Sequence, residues 1–331
     1  MRKHDIVFTG KYAQLCQEFV SYKRGLGYNY DYRQCFNVKC LCDYLNETEN
    51  HDTACGMIRN TVEDFVKRRG GESLRTQNMR VFLIRQFGMY LTSIGYTSYI
   101  PPYDYIKVDK SFVPYIYTKD EIAAIIKESE ELKELSHYPN SHLVYPMILR
   151  ILFGCGLRIS EALNLKEADI DLQNGTIYVK ESKFNNSRIL PMAPGVWEKC
   201  AVYYKKAGHY PANNRYFFEV RYGGEPYRTV SIYSRFRNLL AQAGIEHNGR
   251  GNGPRLHDAR HTYAVYALGQ MVQQGLDIYC ALPILSTYLG HRTIESTEKY
   301  VRLVPAFHES IIIAMADMYK GLFPEVAHEE K

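Results

Sequence analysis

No run of about 18 apolar residues occurs along this 331-residue chain, so no membrane-spanning helix is expected. The start, Met1-Arg2-Lys3-His4-Asp5, leads into no apolar segment of a secretory signal, which points to a cytoplasmic protein with no membrane partner. The eight cysteines (Cys16, Cys35, Cys40, Cys42, Cys55, Cys155, Cys200 and Cys280) form no Cys-x-x-Cys pair, and their spacing fits no zinc pattern. Cys35, Cys40 and Cys42 cluster locally, yet free buried thiols in a reducing compartment are the expectation. Internal repeats and low-complexity tracts are missing as well. The glycine-rich run Asn248-Gly249-Arg250-Gly251-Asn252-Gly253-Pro254 lacks the order of a phosphate-binding loop and reads as a flexible connection. Charge of one sign is not in large excess either: a formal net charge of +5 and a pI near 8.6 permit a nucleic-acid partner without demonstrating one.

Other things are plentiful. Hydrophobic residues make up 46% of the chain, ample for packed cores, and the length is comfortable for two domains. Tyrosine occurs 29 times, so any single tyrosine needs positional support before it is named a nucleophile.

Apolar spacing predicts helices over Tyr12–Gly25 and Asp31–Leu45, a third from Thr61 to a stop at Gly70-Gly71, and a fourth over Leu74–Ile94. Arg75, Arg80 and Arg85 are five apart on that last helix, so they spiral around it and surface solvation remains an open reading. Lys67-Arg68-Arg69 is a tighter basic cluster. Lys67, Arg68, Arg69 and Arg75 are the candidate DNA phosphate contacts. Residues 106–117 read as a linker between a helical domain over 1–105 and a second domain over 118–331, which Thr118-Lys119-Asp120-Glu121 opens as a capping box. There the expected elements are helices Leu143–Phe153 and Arg158–Leu165, and strands Asp169–Leu172 and Thr176–Val179 around a turn at Asn174-Gly175. A third strand, Arg188–Pro191, and helices Trp197–Lys206, Val230–Ala243, His257–Gln274 and Pro305–Leu322 complete the domain. Gly275 and Pro283 are expected to break the helical pattern. The fold class is therefore mainly α with a small antiparallel sheet.

The chemistry-bearing residues stand in the second domain. His257 and Arg260, three apart on a predicted helix, share one face and can reach one phosphate. Arg158 follows a glycine-rich stop, where its fork can hold non-bridging oxygens in pairs. Two guanidiniums on one phosphate counter the charge that builds in a transition state. Tyr300 supplies a phenol, which needs a base or a positive pocket because its free pKa is roughly 10. His257 is a candidate base, Lys183 on the turn before Arg188 a candidate proton donor, and His291 a candidate phosphate contact. Each piece alone is unspecific: a His-x-x-Arg pair is usually a surface pair or a helix cap. The specificity lies in the order Arg, Lys, His-x-x-Arg, His, Tyr, with His291 and Tyr300 nine apart.

Gly156-Leu157-Arg158-Ile159-Ser160-Glu161, the lysine before Arg188-Ile189-Leu190-Pro191, Leu256-His257-Asp258-Ala259-Arg260-His261-Thr262, Tyr288-Leu289-Gly290-His291 and Tyr300 together resemble the tyrosine recombinases, or phage-type integrases, over about Thr118–Val304. The resemblance implies a helical core-binding, DNA-binding domain followed by a mixed α/β catalytic domain. It implies that Arg158, Lys183, His257, Arg260 and His291 assemble around Tyr300, that Glu161 supports this network, and that His261 and Asp258 are structural. The implied reaction is metal-free and cofactor-free: Tyr300 attacks a phosphodiester, forms a 3′-phosphotyrosine and releases a 5′-hydroxyl, and strand exchange reverses the step.

The implied partners are a double-stranded DNA recombination site and further copies of this chain, four in a synapse, with an accessory directionality factor left open. The interval between Arg260 and His291 is longer than usual for the family and reads as a small insertion or a lengthened helix, while Leu282-Pro283-Ile284-Leu285-Ser286-Thr287-Tyr288-Leu289-Gly290-His291 resembles recombinases carried by transposons, and the N-terminal region is short for an additional arm-site domain. A Xer-like dimer-resolving recombinase, a relaxing topoisomerase of the same chemistry and a non-catalytic DNA-binding protein on the same scaffold remain the alternatives. The apolar tail from Pro305 is expected either to pack on its own domain or to dock on a neighbouring protomer.

Overall fold

The computed structural model describes residues 6–48, 56–107, 113–134, 140–180, 187–208, 215–220, 224–247, 249 and 253–304. The chain divides into two compact units, Met1–Phe112 and Val113–Lys331. Among the described residues the first holds four helices: α1 (Ala13–Gly25), α2 (Tyr32–Thr48), α3 (Arg59–Val66) and α4 (Leu74–Ser93). Apolar residues recurring every three or four positions, such as Leu15 with Phe19 on α1 and Val38, Leu41 and Leu45 on α2, form its core with Val62, Phe65, Ile84 and Phe87.

Helix α3 ends at Val66, before the expected stop at Gly70-Gly71, because Lys67 turns into extended backbone. Arg80 of α4 explains the early end. Its guanidinium donates to the carbonyls of Phe65 and of Lys67 (2.8 Å), so a side chain caps the helix end. Glu72 holds the same guanidinium at 2.6 Å. The basic cluster thus sits on a tied-down loop with Lys67, Arg68 and Arg69 exposed; Arg75 is exposed on α4.

The second unit begins with α5 (Lys119–Glu130), opened by a capping box in which Thr118 Oγ1 accepts from the Glu121 N–H and the Glu121 carboxylate accepts from the Thr118 N–H. Helix α6 (Ser141–Cys155) is buried on most sides and contacts α5, α8 (Pro194–Lys206) and α10 (Asp258–Gln273). Between them lie α7 (Ile159–Asn164), strands β1 (Ile170–Asp171), β2 (Thr176–Val179) and β3 (Arg188–Pro191), and α9 (Thr229–Gln242). The sheet is antiparallel in the order β1-β2-β3, with Ile177 opposite Leu190. Strand β1 is shorter than expected because Glu167–Asp169 winds into a 3-10 turn.

Two further helices, α11 (Ile278–Leu289) and α12 (Glu295–Glu298), close the described chain, with Tyr300 between α12 and a 3-10 turn at Val301–Leu303. The fold is mainly α with one small antiparallel sheet.

Pro283 does not break α11; it lies inside it. The carbonyl that its missing N–H would have paired belongs to Tyr279, a residue 84% exposed, while Ala281, Leu282, Leu285 and Leu289 are buried. Five cysteines are buried and free as expected, whereas Cys40 and Cys280 lie exposed on outer helix faces; Cys55 falls outside the described residues, as do Lys183 and the expected helix Pro305–Leu322. Among the described residues no helix is long and apolar enough to cross a membrane.

Candidate active site

Two glycines shape the site. Gly156 ends α6 and Gly290 ends α11, both in the left-handed region (φ +62° and +64°). A Cβ at Gly156 would stand 2.4 Å from the Tyr263 ring, and one at Gly290 would stand 3.0 Å from the Arg188 guanidinium. Both glycines are thus required by conformation and by close approach. After Gly156 the chain turns extended at Arg158 and enters α7, placing Arg158 and Glu161 one helical turn apart.

Glu161 is the hub. Its Oε1 accepts from Arg158 (2.6 Å) and Arg188 (3.2 Å), and its Oε2 from Arg188 (2.9 Å) and the Arg158 backbone N–H (2.9 Å). Arg260 adds a third guanidinium at 3.8 Å. Burial alone would raise this carboxyl's pKa, but the Arg188 hydrogen bond and charge, with Arg158, hold it down at about 2.

The same three arginines cap α11. Arg188 Nε donates to the Tyr288 carbonyl (2.8 Å), Arg260 to the Leu289 carbonyl, and Arg158 to the Gly290 carbonyl (3.4 Å). These are carbonyls of the kind a helix end leaves unpaired, at the terminus where its dipole favours cations. Arg260 also reaches the Gly156 carbonyl at 2.8 Å and is 2% exposed. Burial, then the Arg158 charge, lower its pKa to about 10, which keeps it cationic at neutral pH. The His291 N–H returns to the Ser286 carbonyl (3.0 Å), which fixes the imidazole immediately beyond the cap.

The Tyr300 phenol is buried against this cluster and shares a 2.8 Å hydrogen bond with His261 Nδ1. Its ring lies 5.6 Å from that of His261 and 6.3 Å, nearly parallel, from that of His291. The His257 ring meets His261 edge-on at 4.9 Å. Lys299 Nζ stands 5.2 Å over the Tyr300 ring. Burial pushes the phenol pKa up to about 12, against the downward pull of Arg260 and Arg158. Desolvation lowers all three imidazoles: His257 to about 4, helped by Arg260; His261 to about 3, helped by His257; His291 to about 3, helped by Arg260. All three are neutral at pH 7 and able to accept a proton. His257 is exposed, so solvent screens it most, while His261 is buried.

Of the residues singled out in the sequence, Arg158, Glu161, His257, Arg260, His291 and Tyr300 converge here. Asp258 is fully buried and accepts from the Arg255 backbone (2.9 Å) and guanidinium (2.8 Å), while Thr262 Oγ1 takes the Tyr117 N–H (3.0 Å) and so ties the start of the unit to α10. His257 stands just before α10 instead of on it. Lys67, Arg68, Arg69 and Arg75 belong to the other unit. Sequence reasoning missed Arg188 and Lys299 and gave His261 only a structural part. The four-residue spacing of His257 and His261 was a usable signal, since it puts both imidazoles on one helical face. Among the described residues, no group of three or more His, Cys, Asp or Glu is placed to hold a metal ion.

Residues 116–306 match the phage integrase family. The chain belongs to that family, the tyrosine recombinases, which are DNA strand-exchange enzymes. The Sinorhizobium fredii protein y4rB, named as an integrase/recombinase, is 28% identical over 297 residues, which cover 88% of this chain and 92% of that one. The tyrosine recombinase XerA of Pyrococcus horikoshii is 24% identical over 71% of this chain and 72% of its own. Two solved tyrosine recombinases share the fold. The XerH site-specific recombinase on its difH substrate gives a TM-score of 0.65 at 19% identity, covering 91% of this chain and 84% of that one. The Tn1549 transposon integrase with circular intermediate DNA gives 0.60 at 19% identity, covering 86% and 94%.

Proposed function

We propose that this chain is a site-specific recombinase that cuts and rejoins duplex DNA through a 3′-phosphotyrosine at Tyr300. The observation that carries the reading is the Tyr300 phenol held against a neutral imidazole beside the guanidiniums of Arg158 and Arg260, both of which pull its pKa down. A phosphodiester seated on the two guanidiniums has its non-bridging oxygens compensated, and negative charge accumulating at phosphorus is stabilised there. His261 takes the phenol proton, with His257 behind it as the exposed outlet. The Tyr300 oxygen bonds to phosphorus as the bond to the 5′-oxygen breaks. A proton delivered to that oxygen, the part assigned to Lys183, releases a 5′-hydroxyl. His291, held to Thr297 at 2.8 Å, supports a non-bridging oxygen. The phosphotyrosine retains the energy of the broken ester, so a 5′-hydroxyl from a second duplex reverses the step without ATP.

The partner is duplex DNA bearing a recombination site, bound by several copies of the chain and by four in the synapse. Residues 1–105 serve as the core-binding domain and 118–331 as the catalytic domain, in a cytoplasmic protein. The likeness to the Tn1549 transposon integrase and to y4rB supports integration or transposition of a mobile element. The likeness to XerA and XerH supports resolution of DNA dimers as the second reading.

The test uses nicked duplexes that span the DNA flanking the gene. The wild-type chain is expected to trap a covalent protein–DNA band that maps to Tyr300, and Tyr300→Phe to trap none. A band that persists in the Phe variant refutes the assignment. Sequencing the DNA that flanks the gene separates the two readings: the boundaries of a mobile element there support the first, and their absence supports the second.

A further inference from the structure

We propose that Arg188 is a positioning residue of this active site: it takes up the charge of Glu161 and caps α11, leaving Arg158 and Arg260 electrostatically available to a phosphate. The proposal rests on reading the chain as a phosphotyrosine-forming recombinase.

The geometry is specific. Arg188 opens β3, yet its guanidinium crosses to both oxygens of Glu161 (3.2 and 2.9 Å) and to the Tyr288 carbonyl (2.8 Å). Its side chain is 8% exposed, and Gly290 lacks a Cβ where that side chain passes. Those three contacts use its donors inward, on the protein itself. Arg158, by contrast, gives Glu161 one guanidinium nitrogen and the Gly290 carbonyl a long 3.4 Å contact; Arg260 gives its nitrogens to the uncharged Gly156 and Leu289 carbonyls and stands 3.8 Å from the carboxylate, so Arg188 is the guanidinium that engages both carboxylate oxygens.

Charge decides what Arg188 is for. Three guanidiniums around one carboxylate leave a net charge of two positive units. A phosphodiester carries one negative charge, and its pentacovalent transition state carries close to two, spread over the oxygens. With Arg188 the hub matches the transition state; without it, one positive unit remains. Glu161 would then draw Arg158 and Arg260 toward itself, and a Tyr300 phenolate would form less readily. An exposed ion pair has no such leverage, because water screens it; here the carboxylate is 5% exposed.

Single-turnover formation of the Tyr300–DNA adduct tests this, on nicked duplex carrying a sequence that the full chain selects from a random pool. Arg188→Gln is expected to slow the adduct by about 10²-fold, the scale of losing one charge-stabilising donor. Its rate should also keep rising to higher pH than the wild type's. Glu161→Gln combined with Arg188→Gln restores the net charge of the hub, so the double variant should recover about tenfold or more over Arg188→Gln alone. A purely structural part for Arg188 predicts the opposite, a double variant no faster than the single one.

Arg188→Lys keeps the charge with a single contact and should stay within about tenfold of wild type. It carries the test if Arg188→Gln fails to fold. Arg188→Gln cleaving at the wild-type rate, Arg188→Lys as slow as Arg188→Gln, or no recovery in the double variant each overturns the proposal. A wild type that forms no adduct overturns instead the reading on which it rests.

Discussion

At the residue scale, the site is built on two groups whose burial opposes their use. Tyr300 is 1% exposed and its phenol pKa is pushed up to about 12, while its hydrogen-bond partner His261 is lowered to about 3. A neutral phenol beside a neutral imidazole is the resting arrangement. The same burial couples folding to acid. An unfolded imidazole titrates near 6.5, and the folded values of His261 and His291, both about 3, are depressed. The fold therefore binds fewer protons than the unfolded chain below pH 6.5. The stability contributed by the neutral rings is complete above that pH and is lost progressively as pH falls toward 3. Glu161, lowered to about 2 from 4.5, adds a second loss that begins only below 4.5. The melting temperature should hold between pH 8 and 7 and fall between roughly pH 6 and 4.5, a window that belongs to the histidines. In His261→Phe the slope across that window should flatten. Calorimetry at a series of pH values reads both, and an unchanged slope in the variant would remove His261 from this account.

At the element scale, helix ends decide the geometry, and each end has a traceable cause. Gly156 and Gly275 both have positive φ (+62° and +87°), but a Cβ at Gly156 meets Tyr263 at 2.4 Å and one at Gly275 meets nothing within 4 Å. Gly275→Ala should therefore cost about 1–2 kcal/mol, the left-handed penalty alone. Gly156→Ala should cost that plus about 1–3 kcal/mol of overpacking. It should also disturb the stack of Tyr263 on Tyr288, whose carbonyl holds Arg188. Urea denaturation of the two variants measures the difference; equal losses would mean that Tyr263 gives way freely.

Ends of this kind also mark where reading the sequence succeeds and where it stops. The Thr118 cap and the helix stop at Gly156 were legible because their partners lie within a few residues. The true end of α3 was not, because Arg80, 13 and 15 residues away, supplies the cap. Pro283 misled for a related reason: burial of Leu282, Leu285 and Leu289 outweighs one lost backbone bond. In the site, the ordered run of Arg158, His257, Arg260, His291 and Tyr300 was legible as residue types in sequence. Arg188 and His261 were not assigned to it, since what distinguishes them is a carboxylate 27 residues away and a phenol 39 residues away.

At the scale of the whole molecule, a net charge of +5 is modest, so its placement matters more than its size. Many of the arginines are spent internally. Arg80 caps α3 and pairs with Glu72, Arg188 serves Glu161 and α11, and Arg255 holds Asp258. The loop after α3 is different, because Arg80 holds its backbone while Lys67, Arg68 and Arg69 remain exposed on it. Lys67 does pair with Asp64, but at 76% and 57% side-chain exposure that pair is worth little, and a phosphate can displace it. A fixed backbone presenting three solvated cations is suited to tracking a phosphate strand, since little order must be gained on binding. Counterion release makes this measurable: each phosphate neutralised adds about 0.9 to the slope of log affinity against log salt. Replacing Lys67, Arg68 and Arg69 together by Gln should lower that slope by about 3 and weaken binding almost uniformly across DNA sequences. The melting temperature should stay nearly unchanged, because the cap made by Arg80 is intact. Fluorescence anisotropy across a salt series reads the slope. An unchanged slope would take the loop out of the DNA interface and leave Arg75 as the remaining candidate of this unit.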